Sequence, residues 1–328
     1  MSEILKTLWG RLYAWAFSSA LVLGYYWLVV YPKAHALHGW LPTSLDSEAA
    51  VTFVSITGAI AIFLSSLSTQ LYRILEGYLL WPRWLKERRV KRHLDIKRAR
   101  ARGIQGAQSG WLFGLQLEDY ARYPLRDDQV VPTKFGNAIR SFETYGKTRF
   151  NLDSQTLWHE LCSVSPKYIQ TEISSAQSSV DFFVALFFLS GGFGFATIIT
   201  AFYEKFDLSI LALSTPLFLL MALSHWIAVR TIDAWAFAVQ ALVNIGRIKL
   251  ADSLGLILPE TLEEEKAMWG LVTAYVFFAR PEEGAKLDQF RKKKERIAPR
   301  RQQTPHDEDD ITASASEEEQ ESGDGDCA

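Results

Sequence analysis

The chain has 328 residues, a net charge of −2, 48% apolar residues and a pI near 6.3, averages over segments that differ greatly. Its two cysteines, Cys162 and Cys327, have no His or Cys at metal-ligand spacing around them, so no disulfide framework or zinc site is expected. What separates the segments is local charge.

Four stretches carry no Asp, Glu, Lys or Arg: 12–32, 49–72, 182–203 and 208–229, of 21, 24, 22 and 22 residues. At about 1.5 Å per helical residue, each reaches across a hydrocarbon core of about 30 Å. The expected architecture is all-α and polytopic, with four transmembrane helices and a helical cytoplasmic domain. Lys6 and Arg11 precede the first run and Ala34-His35-Ala36 follows it, a pattern that also suits a cleaved signal. The run exceeds the usual signal core of about 7–15 residues, so an uncleaved span is expected.

The second span, 49–72, is expected to continue as a helix past the apolar run, where Arg73 and Glu76 stand three apart at the spacing of an ion pair on one helix face. A basic stretch follows: Arg83, Lys86, Arg88, Arg89, Lys91, Arg92, Lys97, Arg98, Arg100 and Arg102 against only Glu87 and Asp95. Cations stay on the cytoplasmic side, so both termini and the long central loop are expected there. Arg83, Lys86, Arg88, Arg89, Lys91 and Arg92, immediately after the span, are the expected contacts to anionic lipid headgroups. No nucleic acid is expected, because the segment is held at the membrane and lacks interleaved stacking aromatics.

The insert reads as an irregular stretch around Tyr120, Tyr123, Pro124 and Pro132, then two short amphipathic helices. Thr133 is expected to cap the first, with Phe135, Ala138, Ile139 and Phe142 as its apolar face. Asp153 is expected to cap the second, with Leu157, Trp158 and Leu161 as its stripe. A third helix from about Pro166 should lead straight into the third span. Asp181 opens that span, able to cap a helix or to pair with Arg73 or Arg230. Ser190-Gly191-Gly192-Phe193-Gly194 lies inside it and points to close helix packing. In the fourth span Pro216 is expected to kink the helix, and His225 lies near the inner end. Arg230 and Asp233 repeat the three-residue charge spacing. Together Arg73, Glu76, Asp181, His225, Arg230 and Asp233 form a candidate polar network at the inner membrane boundary.

The fourth helix is expected to continue through Leu254, and Thr261 with Glu264 forms a capping-box pattern for another helix through Phe278. The tail splits into a basic part, Arg291 to Arg301, and an acidic part, His306 to Ala328, and is expected to be disordered. The expected organisation is 1–81 first hairpin, 82–179 basic segment and insert, 180–230 second hairpin, 231–290 cytoplasmic helices, and 291–328 tail.

Three stretches carry a resemblance: Leu67-Ser68-Thr69-Gln70-Leu71-Tyr72-Arg73-Ile74-Leu75-Glu76-Gly77-Tyr78; Pro132 to Arg140 with Glu143, Tyr145 and Arg149; and Pro259 to Trp269. They resemble a group of uncharacterised bacterial membrane proteins, often actinobacterial, with a four-span layout. The resemblance implies an inner-membrane location and an all-helical body. It departs at Asn244-Ile245-Gly246-Arg247, where the group has an Asp-x-x-Arg-like step. The order of two spans, an insert, two spans and a tail is also similar in layout to bestrophin anion channels.

No Ser-His-Asp arrangement, paired carboxylates, His-x-x-x-His or Walker-type loop occurs with local support. The reading is therefore a non-enzymatic scaffold or sensor with no cofactor. Its expected partners are an anionic bilayer, a second copy of the chain and a cytoplasmic protein. A homo-oligomeric ion channel is the alternative, with Thr52, Ser55, Ser66 and Thr69 near one face of the second span.

Overall fold

The computed structural model describes residues 3–34, 47–106, 110–278 and 281–291. Met1–Arg291 form one compact unit. The remainder, Lys292–Ala328, lies outside the described residues, as do most of the first loop and hence His35 and Ala36. Among the described residues the chain is helical without strands, apart from one isolated antiparallel bridge, Leu256 to Arg291.

Four helical segments are long and apolar enough to cross a membrane. The first is α1 (Glu3–Tyr25), prolonged by a π-helical turn over Tyr26–Val30; the second is α2 (Ser47–Ser66). After α2 the chain breaks at Leu67 and resumes as α3 (Ser68–Glu76). The continuous helix expected past Tyr72 therefore ends at Glu76, because Gly77 adopts φ +92° and its N–H closes on Arg73 and Ile74 carbonyls.

The basic run forms one helix, α4 (Arg83–Gly106), which turns back into α5 (Trp111–Ala121). The irregular stretch expected before Pro132 thus begins as an antiparallel hairpin. Next come α6 (Lys134–Glu143), α7 (Tyr145–Phe150) and α8 (Trp158–Val164). Thr133 caps α6 as expected, accepting from the Gly136 N–H at 2.9 Å. Asn137 is buried and fastens the preceding loop: its side chain donates to Val131 and Thr133 carbonyls at 2.8 and 2.7 Å and accepts from the Val131 N–H at 3.0 Å. Phe135, Ala138, Ile139 and Phe142 are all buried, and burial from water contributes about 1.5–3 kcal/mol for each of the larger three. Asp153 accepts from Gln155 and Thr156 N–H groups, but in a turn ahead of α8 rather than at its first residue.

α9 (Lys167–Tyr203, 37 residues) and α11 (Ser214–Ser253, 40 residues) form the central pair, joined through the short α10 (Leu208–Ala212). α1 packs on α9 and α2 on α1. Small residues let the central pair approach closely: a Cβ added at Gly194 would lie 3.1 Å from the Phe218 ring, and one at Gly191 would lie 3.0 Å from Met221 Sδ. The kink expected at Pro216 takes the form of a break in the fourth apolar segment, three residues before it. The chain breaks at Leu213, placing Pro216 in the first turn of α11, where the backbone N–H it lacks would have had no intrahelical partner. The Tyr25 hydroxyl donates to the Leu213 carbonyl at this break, at 2.9 Å.

Both central helices run past their apolar stretches, and the insert is built on the overrun, with α6 and α8 packing on α11. α12 (Leu262–Phe278) opens with Thr261 Oγ1 accepting from the Glu264 N–H at 3.3 Å, and α13 (Pro281–Leu287) packs on it. One hydrophobic core extends from Trp15 between the apolar helices through Phe135 and Leu161 to Met268 and Trp269.

Candidate functional site

The six polar residues expected to form one network are divided between two places. Arg73 and Glu76 line a cavity of about 770 Å³ with Tyr72, Arg140, Glu143 and Trp235. The Tyr72 hydroxyl donates to Asp181 Oδ1 at 2.8 Å, joining the fully buried Asp181 to this wall from the interior of α9 rather than from a helix start. Arg73 and Glu76 form no ion pair. Glu76 sits in the last turn of α3, under α6, where Gly136 packs so tightly that an added Cβ would lie 2.7 Å from the Glu76 carbonyl oxygen, while Arg73 is exposed. Burial pushes the Glu76 carboxyl up to about 7; Glu143 pushes the same way, and Arg73 and Arg140 pull it back. Burial also raises Glu143, against the Arg140 guanidinium that donates to it at 3.2 Å.

His225, Arg230 and Asp233 instead meet the α4–α5 hairpin. Arg122, just past α5, donates from Nε to both Asp233 oxygens at 2.9 and 3.0 Å, and from Nη1 to Asp119 at 2.7 Å. The expected Arg230–Asp233 pair is thus replaced. A guanidinium fork arriving from 111 residues away offers Asp233 several parallel bonds, which a contact within one helix turn cannot match. Arg230 lies over the Trp226 ring, 4.4 Å from its centroid.

Between α4, the start of α6 and the central pair lies a second cavity, of about 530 Å³. Its polar lining is Arg89, Arg92, His93, Thr133, Lys134 and His225, and its apolar lining includes Ile74, Leu75, Trp81 and Phe187; no carboxylate lines it. Further along the hairpin several cations are neutralised: Asp127 pairs with Lys97 and Arg98, and Asp119 with Arg100 and Arg122. Among the described residues no carboxylate pairs with Arg89, Arg92 or Lys134. His93 is buried, with Nδ1 hydrogen-bonded to the Tyr123 hydroxyl at 3.0 Å. Burial first, then Arg89, Lys134, Arg92 and Arg100, lowers its pKa to about 4, so the ring is neutral near pH 7. The His225 ring lies tilted against Phe187, 5.6 Å between centroids, with its Nδ1 buried and without a hydrogen-bond partner.

Of the six expected headgroup contacts, Arg89 and Arg92 line this cavity. Arg83 is taken by Glu87 at 3.0 Å, Lys86 donates to the Tyr78 carbonyl at 2.7 Å, and Arg88 and Lys91 are exposed outside the lining. Lys134, His93, Arg122, Arg140 and Glu143 were not among the expected site residues. Lys134, directly after the cap Thr133, and Arg140 with Glu143, three apart on one helix, carried local signals. Chemically, three unneutralised cations beside an apolar wall suit an anion with an apolar stem.

Protein-family models, curated proteins and solved structures contain no match to this chain. The resemblance to four-span bacterial proteins therefore rests on its three quoted stretches alone.

Proposed function

We propose that this chain is a non-enzymatic scaffold of the bacterial inner membrane, with both termini inside, that seats a helical cytoplasmic body on anionic inner-leaflet lipid. The observation that carries the reading is α5. Trp111 is 79% exposed and Leu112, Leu115 and Leu117 about half exposed, and the helix has no buried residue. An eleven-residue apolar helix left open to water forfeits the burial that would stabilise it. Beside it runs α4, with ten Lys and Arg residues within Arg83–Arg102. An apolar helix paired with a basic one suits the headgroup boundary, where one enters the acyl margin and the other meets phosphate. The Arg122–Asp233 fork ties the hairpin to α11 three residues beyond Arg230, close to the end of the last apolar run.

Two of the four hydroxyls named on the second span favour a scaffold over a channel. Thr52 and Ser66 donate to the carbonyls of Glu48 and Ile62 in their own helix, at 2.8 Å each, as hydroxyls do on a lipid-facing surface.

A test uses full-length protein with Cys162 and Cys327 replaced by serine and a fluorophore on Leu115→Cys, reconstituted in anionic vesicles. Emission blue-shifted and quenched by lipids brominated along the acyl chain is expected; water-like emission unaffected by those lipids refutes the seating. In planar bilayers the protein should show no conductance. Single-channel steps altered by Ser55→Trp or Ser66→Trp would establish the channel instead.

A further inference from the structure

We propose that the 530 Å³ cavity between α4, the start of α6 and the central pair is a discrete binding site for one anionic lipid carrying a terminal phosphate, headgroup at Arg89, Arg92 and Lys134 and glycerol stem along the apolar wall. This deepens the scaffold reading and rests on it for the membrane setting. A basic surface holds lipid diffusely; a site holds one molecule at fixed groups, and several observations distinguish the two.

The three cations come from two elements and converge. Arg89 and Arg92 stand three apart on α4, on one face, whereas Lys134 is the first residue of α6. The buried His93 reports the convergence, since Arg89, Lys134, Arg92 and Arg100 all act on that one ring and no carboxylate opposes them there. Lys97, Arg98, Arg100 and Arg122 each have a carboxylate partner, whereas no carboxylate lines this cavity. Like charges facing one cavity without a carboxylate repel, and an anion placed among them relieves the repulsion.

The cavity also has the depth of the headgroup region. Phe187 belongs to the third apolar run and His225 to the fourth, six and five residues respectively from the charged residues Asp181 and Arg230 that bound them. Arg89 and Arg92 lie beyond the second span, past Trp81. An occupant therefore meets hydrocarbon-side residues at one end and guanidinium groups at the other. The buried Nδ1 of His225, without a partner, offers one more polar contact on the inner wall. Free phosphate would engage the cationic mouth and leave the Ile74, Leu75, Trp81 and Phe187 wall uncovered, so a lipid is the occupant that uses both. A terminal phosphate, with up to two charges, matches three cations better than a phosphodiester with one.

Native mass spectrometry of the full-length protein in detergent, titrated with dioctanoyl phosphatidic acid, dioctanoyl phosphatidylglycerol, dioctanoyl phosphatidylcholine and inorganic phosphate, tests this. One phosphatidic acid per chain, bound saturably and more tightly than the other three, is the expected result. Arg89→Gln, Arg92→Gln and Lys134→Gln should each weaken it about fivefold and together about a hundredfold. Arg88→Gln with Lys91→Gln, the same kind of charge removed outside the lining, should change it less than twofold. Equal weakening by the outside pair, several equivalent lipids per chain, or phosphate binding as tightly as phosphatidic acid overturns the proposal. The replaced side chains are exposed, so the variants should fold, which their unchanged melting temperatures check. Loss of the site with Leu115→Cys fluorescence still quenched refutes the site alone; loss of quenching refutes the seating.

Discussion

Glu76→Gln isolates a single buried carboxyl, and its effect should depend on pH in a way that fixes both sign and window. The Glu76 carboxyl is raised from its ordinary 4.5 to about 7, so it contributes stability that is complete below pH 4.5 and lost as pH rises through 7. Over that interval the shift corresponds to about 3 kcal/mol, an upper figure because removing Glu76 also relieves Glu143. Arg73, Arg140, Glu143 and Tyr78 are the charged and titratable groups around it. His93 works in the opposite direction: its pKa falls from 6.5 to about 4, so its contribution is present above 6.5 and lost as pH falls through 4. Between pH 4.5 and 6.5 the two slopes oppose, and the wild-type profile should be comparatively flat. Glu76→Gln should uncover a rise in stability with pH over that range and exceed the wild type by about 3 kcal/mol, several degrees in melting temperature, at pH 8. Thermal unfolding in detergent from pH 4.5 to 8.5 measures it. A difference between variant and wild type that stays constant from pH 5 to 8 would refute burial of an ionisable Glu76.

Three further outcomes follow from packing and topology. Gly136→Ala should destabilise by about 1–3 kcal/mol, because its Cβ would lie 2.7 Å from the Glu76 carbonyl oxygen and 2.8 Å from Val131 Cγ2, whereas Gly58→Ala, with no atom within 4 Å, serves as the control in the same melt. Asp233→Asn should cost about 1–3 kcal/mol and speed proteolytic nicking near Arg122, since both side chains are largely buried; an unchanged nicking rate would show that the fork does not hold the hairpin. In a background lacking native cysteines, Ser44→Cys should react with an impermeant maleimide in intact cells and the exposed Ser163→Cys only after permeabilisation; the reverse pattern would invert the orientation. Ser163 is preferable to native Cys162, whose thiol burial pushes up and slows.

The sequence by itself determined the features that each segment satisfies alone. An uncharged run of more than twenty residues meets its backbone hydrogen bonds internally as a helix, so the four apolar helices were legible from charge spacing. Thr133, the apolar face Phe135–Phe142 and the small residues around Gly194 were legible for the same reason, since capping, helical periodicity and side-chain size act within a turn or two. What only the tertiary structure decided was partnership. Spacing alone could not show that Asp233 would take Arg122 instead of Arg230, because fork geometry at a distant approach outweighs proximity along one helix. Nor could it separate Arg89 and Arg92 from Arg88 and Lys91, which have the same composition and neighbourhood and differ in which side of α4 meets α6 and the central pair. α5 was missed because an eleven-residue apolar segment is too short to read as a span and lacks a clear cap, and its meaning depends on a face that no other described helix covers. The cavity exists only where α3, α4, the start of α6 and the central pair converge, and convergence is a property of long-range packing that no local pattern encodes.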